Sequence, residues 1–168
     1  MKKQWKLGAW LMLMLDIVIT LKYTWLRESV SFMYAQLMNV RTAAVWTYLD
    51  SEKCNLVPFR TIGYYLFDSS HAWTSIVNLG GNVAAFMPIG FLIPLLSAKR
   101  KSSLWSIAAI SFGYSLLIET GQLLMEIGAF DVDDLILNTL GGCAGLMVLK
   151  VFIRIAFPSS VKLLSVNR

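Results

Sequence analysis

Four long apolar runs dominate the chain, and polar residues fall between them or singly inside them. LGAWLMLMLDIVITLKYTWL occupies residues 7–26, and NLGGNVAAFMPIGFLIPLL closes a second run over 73–96. SLWSIAAISFGYSLLIETGQLL fills 103–124, and LILNTLGGCAGLMVLKVFIRIAF fills 135–157. Each supplies the roughly 20 residues that a helix needs to cross the hydrocarbon core of a bilayer. The pattern predicts an all-α membrane protein, a single domain over 1–168 built as a four-transmembrane-helix bundle. A long mixed connection, residues 27–72, separates the first two spans. Within it FMYAQLMNVRTAAVWTYL has the period of a helix lying in the interface plane, without a clean stretch long enough to cross.

Composition identifies the solvent. Of 168 residues 57% are apolar and 15% charged, too oily for a soluble fold. A net charge of +5 would suit nucleic acid only if a basic stripe alternated with aromatics. Here the basic residues sit at the ends of the runs. Lys2, Lys3 and Lys6 precede the first; Lys99, Arg100 and Lys101 join the second and third; Lys150, Arg154, Lys162 and Arg168 close the chain. With alternating spans all of them share one side, which the positive-inside rule makes cytoplasmic. Both termini are then cytoplasmic, and the long connection and MEIGAFDVD lie outside. The first run continues past Ile19 to Tyr23 and Trp25 without a small-residue cleavage site, so it is read as a retained span. Trp5, Trp25, Trp46, Trp73 and Trp105 fall near expected interfaces as anchors. Cys54 and Cys143 differ in expected depth and form neither a disulfide framework nor a metal set.

The polar residues inside the spans carry the candidate chemistry. Asn78 and Asn82 are spaced i,i+4, Glu119 and Gln122 i,i+3, and Asp134 and Asn138 i,i+4, giving each helix one polar face. At about 1.5 Å per residue these groups share the outer half of the membrane. Gly81/Ala85, Ala109/Gly113 and Gly141/Gly145 have the small-xxx-small spacing that lets helices approach closely. Glu119 must be protonated, paired or wet; its candidate partners are Arg60, the amides of Asn82 and Asn138, or a cation shared with Asp131, Asp133 or Asp134. Those three aspartates precede the fourth run and suit helix capping, with a Mg²⁺ or Ca²⁺ site as the competing reading. Asp16 must face protein or stay protonated, and Pro88 and Pro94 can kink the second span.

Four blocks occur in order over roughly residues 54–149: NLVPF followed by Arg60; Asn82, Phe86, Pro88, Gly90 and Phe91; IETGQ with Glu119 and Gln122; and FDVDDLILNTLGG with Asp131, Asp134, Asn138, Gly141 and Gly142. In these the chain resembles the VanZ-like family of membrane proteins, named for a factor associated with teicoplanin resistance. The resemblance implies a bacterial cytoplasmic-membrane protein and lowered susceptibility to glycopeptide drugs of that type. It supplies a phenotype rather than a reaction.

Two function classes follow. In the first, a polar outer-leaflet pocket formed by Glu119, Gln122, Asn82, Asn138, Asp134, Asp131 and Arg60 binds the head of a membrane lipid, a lipid-linked cell-wall precursor or a lipoglycopeptide, with no catalysis. In the second, a metal-dependent enzyme acts on a lipid-linked phosphate through Glu119, Asp131 and Asp134. No catalytic residue is assigned and no cofactor is called for beyond that divalent cation. His71 is the sole histidine, so a Ser-His-Asp arrangement would depend on a loop residue. Beyond these two stands a small transporter or an accessory subunit of a larger complex, and four short spans without obvious duplication give the transporter version little support.

Overall fold

The computed structural model describes residues 4–25, 54–67, 72–97, 102–125 and 128–156. Among them are five helices: α1 (Gln4–Trp25), α2 (Arg60–Phe67), α3 (Ala72–Leu96), α4 (Leu104–Leu124) and α5 (Val132–Ala156). All but α2 are long and apolar enough to cross a membrane. The protein is therefore an all-α membrane protein with four spans, as the runs predict. The stretch 32–49, Trp46 and His71 lie outside the described residues.

Helix ends follow their caps. Ser103 Oγ accepts the Ser106 N–H at 3.2 Å and starts α4. Asp131 Oδ1 accepts the Asp133 N–H at 2.8 Å and starts α5 at Val132. The fourth span thus begins three residues before the expected 135, with Asp133 and Asp134 inside its first turn. Pro88 and Pro94 both lie within α3. The short helix α2 was not anticipated by the hydrophobic pattern.

The central helix is α5, packed most extensively on α3 and next on α4. Lipid tails are as apolar as leucine, so close packing has to come from shape. A Cβ on Gly141 would overlap the Val83 carbonyl, one on Gly145 the Met87 carbonyl, and one on Gly90 the Gly142 carbonyl. Backbone therefore meets backbone along α3 and α5. Toward α4 the small residues are Ser111 and Ser115, both 0% exposed, and a Cβ on Gly142 would overlap Ser111 Oγ.

The expected small-residue pairs need correction accordingly. Gly141/Gly145 forms the interface, but Gly81 and Gly113 face open space and Ala109 is exposed. Moving the α4 contact two residues on, to Ser111 and Ser115, turns the helix by about 200°. The helix presents the face that sets Ser115 against the Asn138 amide of α5. Ala9 and Leu13 of α1 pack with Phe86, Ile89 and Leu92 of α3 and Ile118 of α4. Trp5, Trp73 and Trp105 are exposed, as anchors would be.

Candidate functional site

The site begins with a helix that cannot cap itself. Phe59 holds the N-cap position of α2, its carbonyl accepting the Gly63 N–H at 2.9 Å, and its φ is 67°. A phenylalanine offers no side-chain acceptor, and the left-handed backbone is uncommon for it. The acceptor comes from another helix. Asp133 of α5, wholly buried, accepts the Phe59 N–H on Oδ1 at 2.5 Å. Its Oδ2 accepts the Thr61 and Ile62 N–H groups at 2.7 and 3.0 Å. Those are the two donors that an N-cap side chain ordinarily satisfies.

Asn55 locks the same contact. It forms an isolated parallel bridge with Asp131: its N–H donates to the Phe130 carbonyl and its carbonyl accepts the Val132 N–H, each at 2.9 Å. Its side-chain amide donates to Asp131 Oδ1 at 2.9 Å and Thr61 Oγ1 at 3.0 Å. Thr61 Oγ1 donates in turn to Asp131 Oδ2 at 2.7 Å. The segment 55–62 is thus strapped across the start of α5. Asn55 and Thr61 were absent from the expected site, and Asp133 entered it only as a cap of its own helix or a cation ligand. The signal available was two acids at i,i+2 before a span, one more than a single cap requires.

Glu119 is 3% exposed, and its Oε2 accepts the Asp131 N–H at 3.0 Å. It props the cap residue of α5 and is paired with none of the candidates proposed from sequence. Arg60 is exposed and makes no ion pair with Glu119 among the described residues. Asn82 Nδ2 donates instead to Asp134 Oδ1 at 2.5 Å, and Asn138 Nδ2 to Ser115 Oγ at 2.8 Å. Antiparallel α4 and α5 therefore meet in three rungs: Glu119 with Asp131, Ser115 with Asn138, and Ser111 with Gly142. Gln122 Nε2 donates to the Thr24 carbonyl at 3.0 Å and ties α4 to the last turn of α1.

Inside this frame lies a cavity of about 580 Å³. Its walls carry Asp16 and Thr20 from α1, Thr61 and Tyr65 from α2, Asn78 and Asn82 from α3, Gln122 from α4, and Asp134 with the cap residue Asp131 from α5. Of the expected ligand residues, Asn82, Gln122, Asp131 and Asp134 line it. Glu119 and Asn138 are buried beside it without lining it, and Arg60 lies on the surface. Among the described lining residues the ionisable side chains are carboxylates and tyrosine hydroxyls, with no lysine, arginine or histidine. Such a wall suits a guest that brings hydrogen-bond donors or positive charge. Among the described residues no three His, Cys, Asp or Glu side chains converge as metal ligands. Both oxygens of Asp131 and of Asp133 already accept hydrogen bonds.

The family model described as VanZ/LLP1 matches residues 9–153, nearly all of the helical body, and the chain belongs to that family. No curated protein and no solved structure matches it.

Proposed function

We propose that this VanZ/LLP1 membrane protein is a non-catalytic binder that holds the polar head of an amphiphile in its cavity. The head belongs to a membrane lipid, a lipid-linked cell-wall precursor or a teicoplanin-type lipoglycopeptide, and its capture lowers susceptibility to such drugs. The observation that carries this reading is the convergence of amides, carboxylates and hydroxyls from five helices on one cavity at one end of a membrane bundle. The lysine and arginine distribution supports an outward-facing cavity with both termini cytoplasmic, and membership of the family supports a bacterial cytoplasmic membrane. Binding is favoured over a metal-assisted reaction because, of the three carboxylates that reaction would use, Asp131 spends both oxygens on the strap and Glu119 holds a backbone N–H away from the cavity wall.

The test is mass spectrometry of amphiphiles co-purifying with wild type, Asn82→Ala and Asp134→Asn, alongside teicoplanin susceptibility of cells expressing each. One amphiphile class enriched on wild type and lost from both variants, with protection lost in parallel, is expected. Identical profiles from all three proteins would remove the cavity from the function. A chemically converted lipid that depends on Asp134 would replace binding with catalysis.

A further inference from the structure

Beside the polar cavity runs a second one of opposite character, a groove of about 480 Å³ between α1, α3 and α5. Met12, Leu15, Met87, Phe91 and Val148 form most of its wall, and Gly145 adds no side chain to it. Asp16 and Ile19 belong to both walls, so groove and cavity meet on one face of α1. At the junction Asp16 Oδ2 is buried with no hydrogen-bond partner. From Met12 to Ile19 the wall rises about 10 Å along the helix, the length of a chain segment rather than of a head.

We propose that the two cavities hold one molecule: an amphiphile whose hydrocarbon chain lies in the α1/α3/α5 groove and whose amine-bearing head passes Asp16 to rest among Asn82, Gln122 and Asp134. The proposal rests on the headgroup reading above and specifies the class of ligand and its route. An apolar slot that opens into a polar chamber matches a molecule with the same two halves. The chamber is lined by carboxylates with no lysine, arginine or histidine among its described residues, and the Asp16 side chain stands where the two halves join. A chain leaving bulk lipid for the groove gains little from the hydrophobic effect, because lipid is already apolar. Selection therefore falls on the head, while the chain fixes the path of entry. That path is lateral, from the bilayer, past the exposed side chains of Met12 and Val148.

The experiment uses the purified full chain in phosphatidylcholine nanodiscs with dodecylammonium carrying a photoreactive diazirine at the chain terminus. Labelled residues are mapped by mass spectrometry. Expected labels fall on Met12 to Ile19 of α1 and Met87 to Leu92 of α3. Excess unlabelled dodecylammonium suppresses them and dodecyl phosphate does not. Asp16→Asn lowers groove labelling about tenfold or more, the loss of a hydrogen bond between charged groups. Val148→Trp, a change in the groove wall, fills the groove and abolishes labelling there. Labelling spread evenly over the lipid face of α4, at Phe112 and Leu117, would overturn the groove assignment. Equal competition by dodecyl phosphate would overturn the amine assignment. If Asn82→Ala still strips the co-purifying amphiphile in either case, the headgroup reading stands and only this inference falls.

Discussion

The strap across α5 depends on Asp133, and replacing that residue by asparagine isolates what its second oxygen contributes. Asp133 accepts three backbone N–H groups, one on Oδ1 and two on Oδ2. An asparagine in the same place keeps one oxygen. Set toward Thr61 and Ile62, it turns its NH₂ on the Phe59 N–H, donor against donor, so one bond to a carboxylate is lost. Such bonds contribute about 1.5–3 kcal/mol each. Local opening of the strap then becomes easier by that amount, or about 10- to 150-fold in the opening equilibrium. Asp133→Ala strands all three donors and releases the strap outright. Hydrogen–deuterium exchange measures this locally: peptides covering 55–62 should exchange faster by that factor in the asparagine variant, while peptides from the middle of α3 and α5 keep their rates. Unchanged exchange at 55–62 would show that Asp133 does not hold α2. A uniform increase along α5 would show that its role is to stabilise the bundle as a whole.

Two further outcomes follow from the packing. Gly145→Ala drives a methyl into the Met87 carbonyl and should cost about 1–3 kcal/mol in detergent thermal unfolding, whereas Gly113→Ala meets open space and should be neutral or stabilising by up to about 1 kcal/mol. Equal destabilisation by the two would refute the backbone contact between α3 and α5. A double-mutant cycle of Ser115→Ala and Asn138→Ala should give a coupling of about 0.6–1.7 kcal/mol, and Ser111→Ala, which removes a buried unpartnered hydroxyl, should cost little. No coupling between Ser115 and Asn138 would break the middle rung of the α4/α5 register.

The spans were legible because a bilayer demands one thing of the sequence, some twenty apolar residues, and four runs meet it. The level of the polar residues was legible too, since the rise per residue places Asn82, Gln122 and Asp134 near the same depth. Helix rotation was not. Ala109/Gly113 and Ser111/Ser115 have identical spacing, and only the match of Ser115 to the Asn138 amide decides which pair turns inward. Nor was the strap legible. Its partners lie far apart in the chain, and the helix it caps has eight residues, about two turns, too short for its periodicity to stand out. Glu119 was singled out for its charge, yet what it does here is hold a backbone N–H of the chain entering α5. A carboxylate deep in a span shows that something must satisfy it, without showing what.

The bridge between Asn55 and Asp131 joins residues 76 positions apart, and that separation sets an order of events during biosynthesis. A chain made from its N-terminus exposes α2 long before the ribosome reaches Asp133, so the helix waits without its cap while α3 and α4 are threaded into the bilayer. Thr61 and Tyr65 take their places as wall residues only when the first turn of α5 arrives. Insertion of the last helix and closure of the polar cavity are therefore one step, and a nascent chain stalled before that point lacks one wall of it.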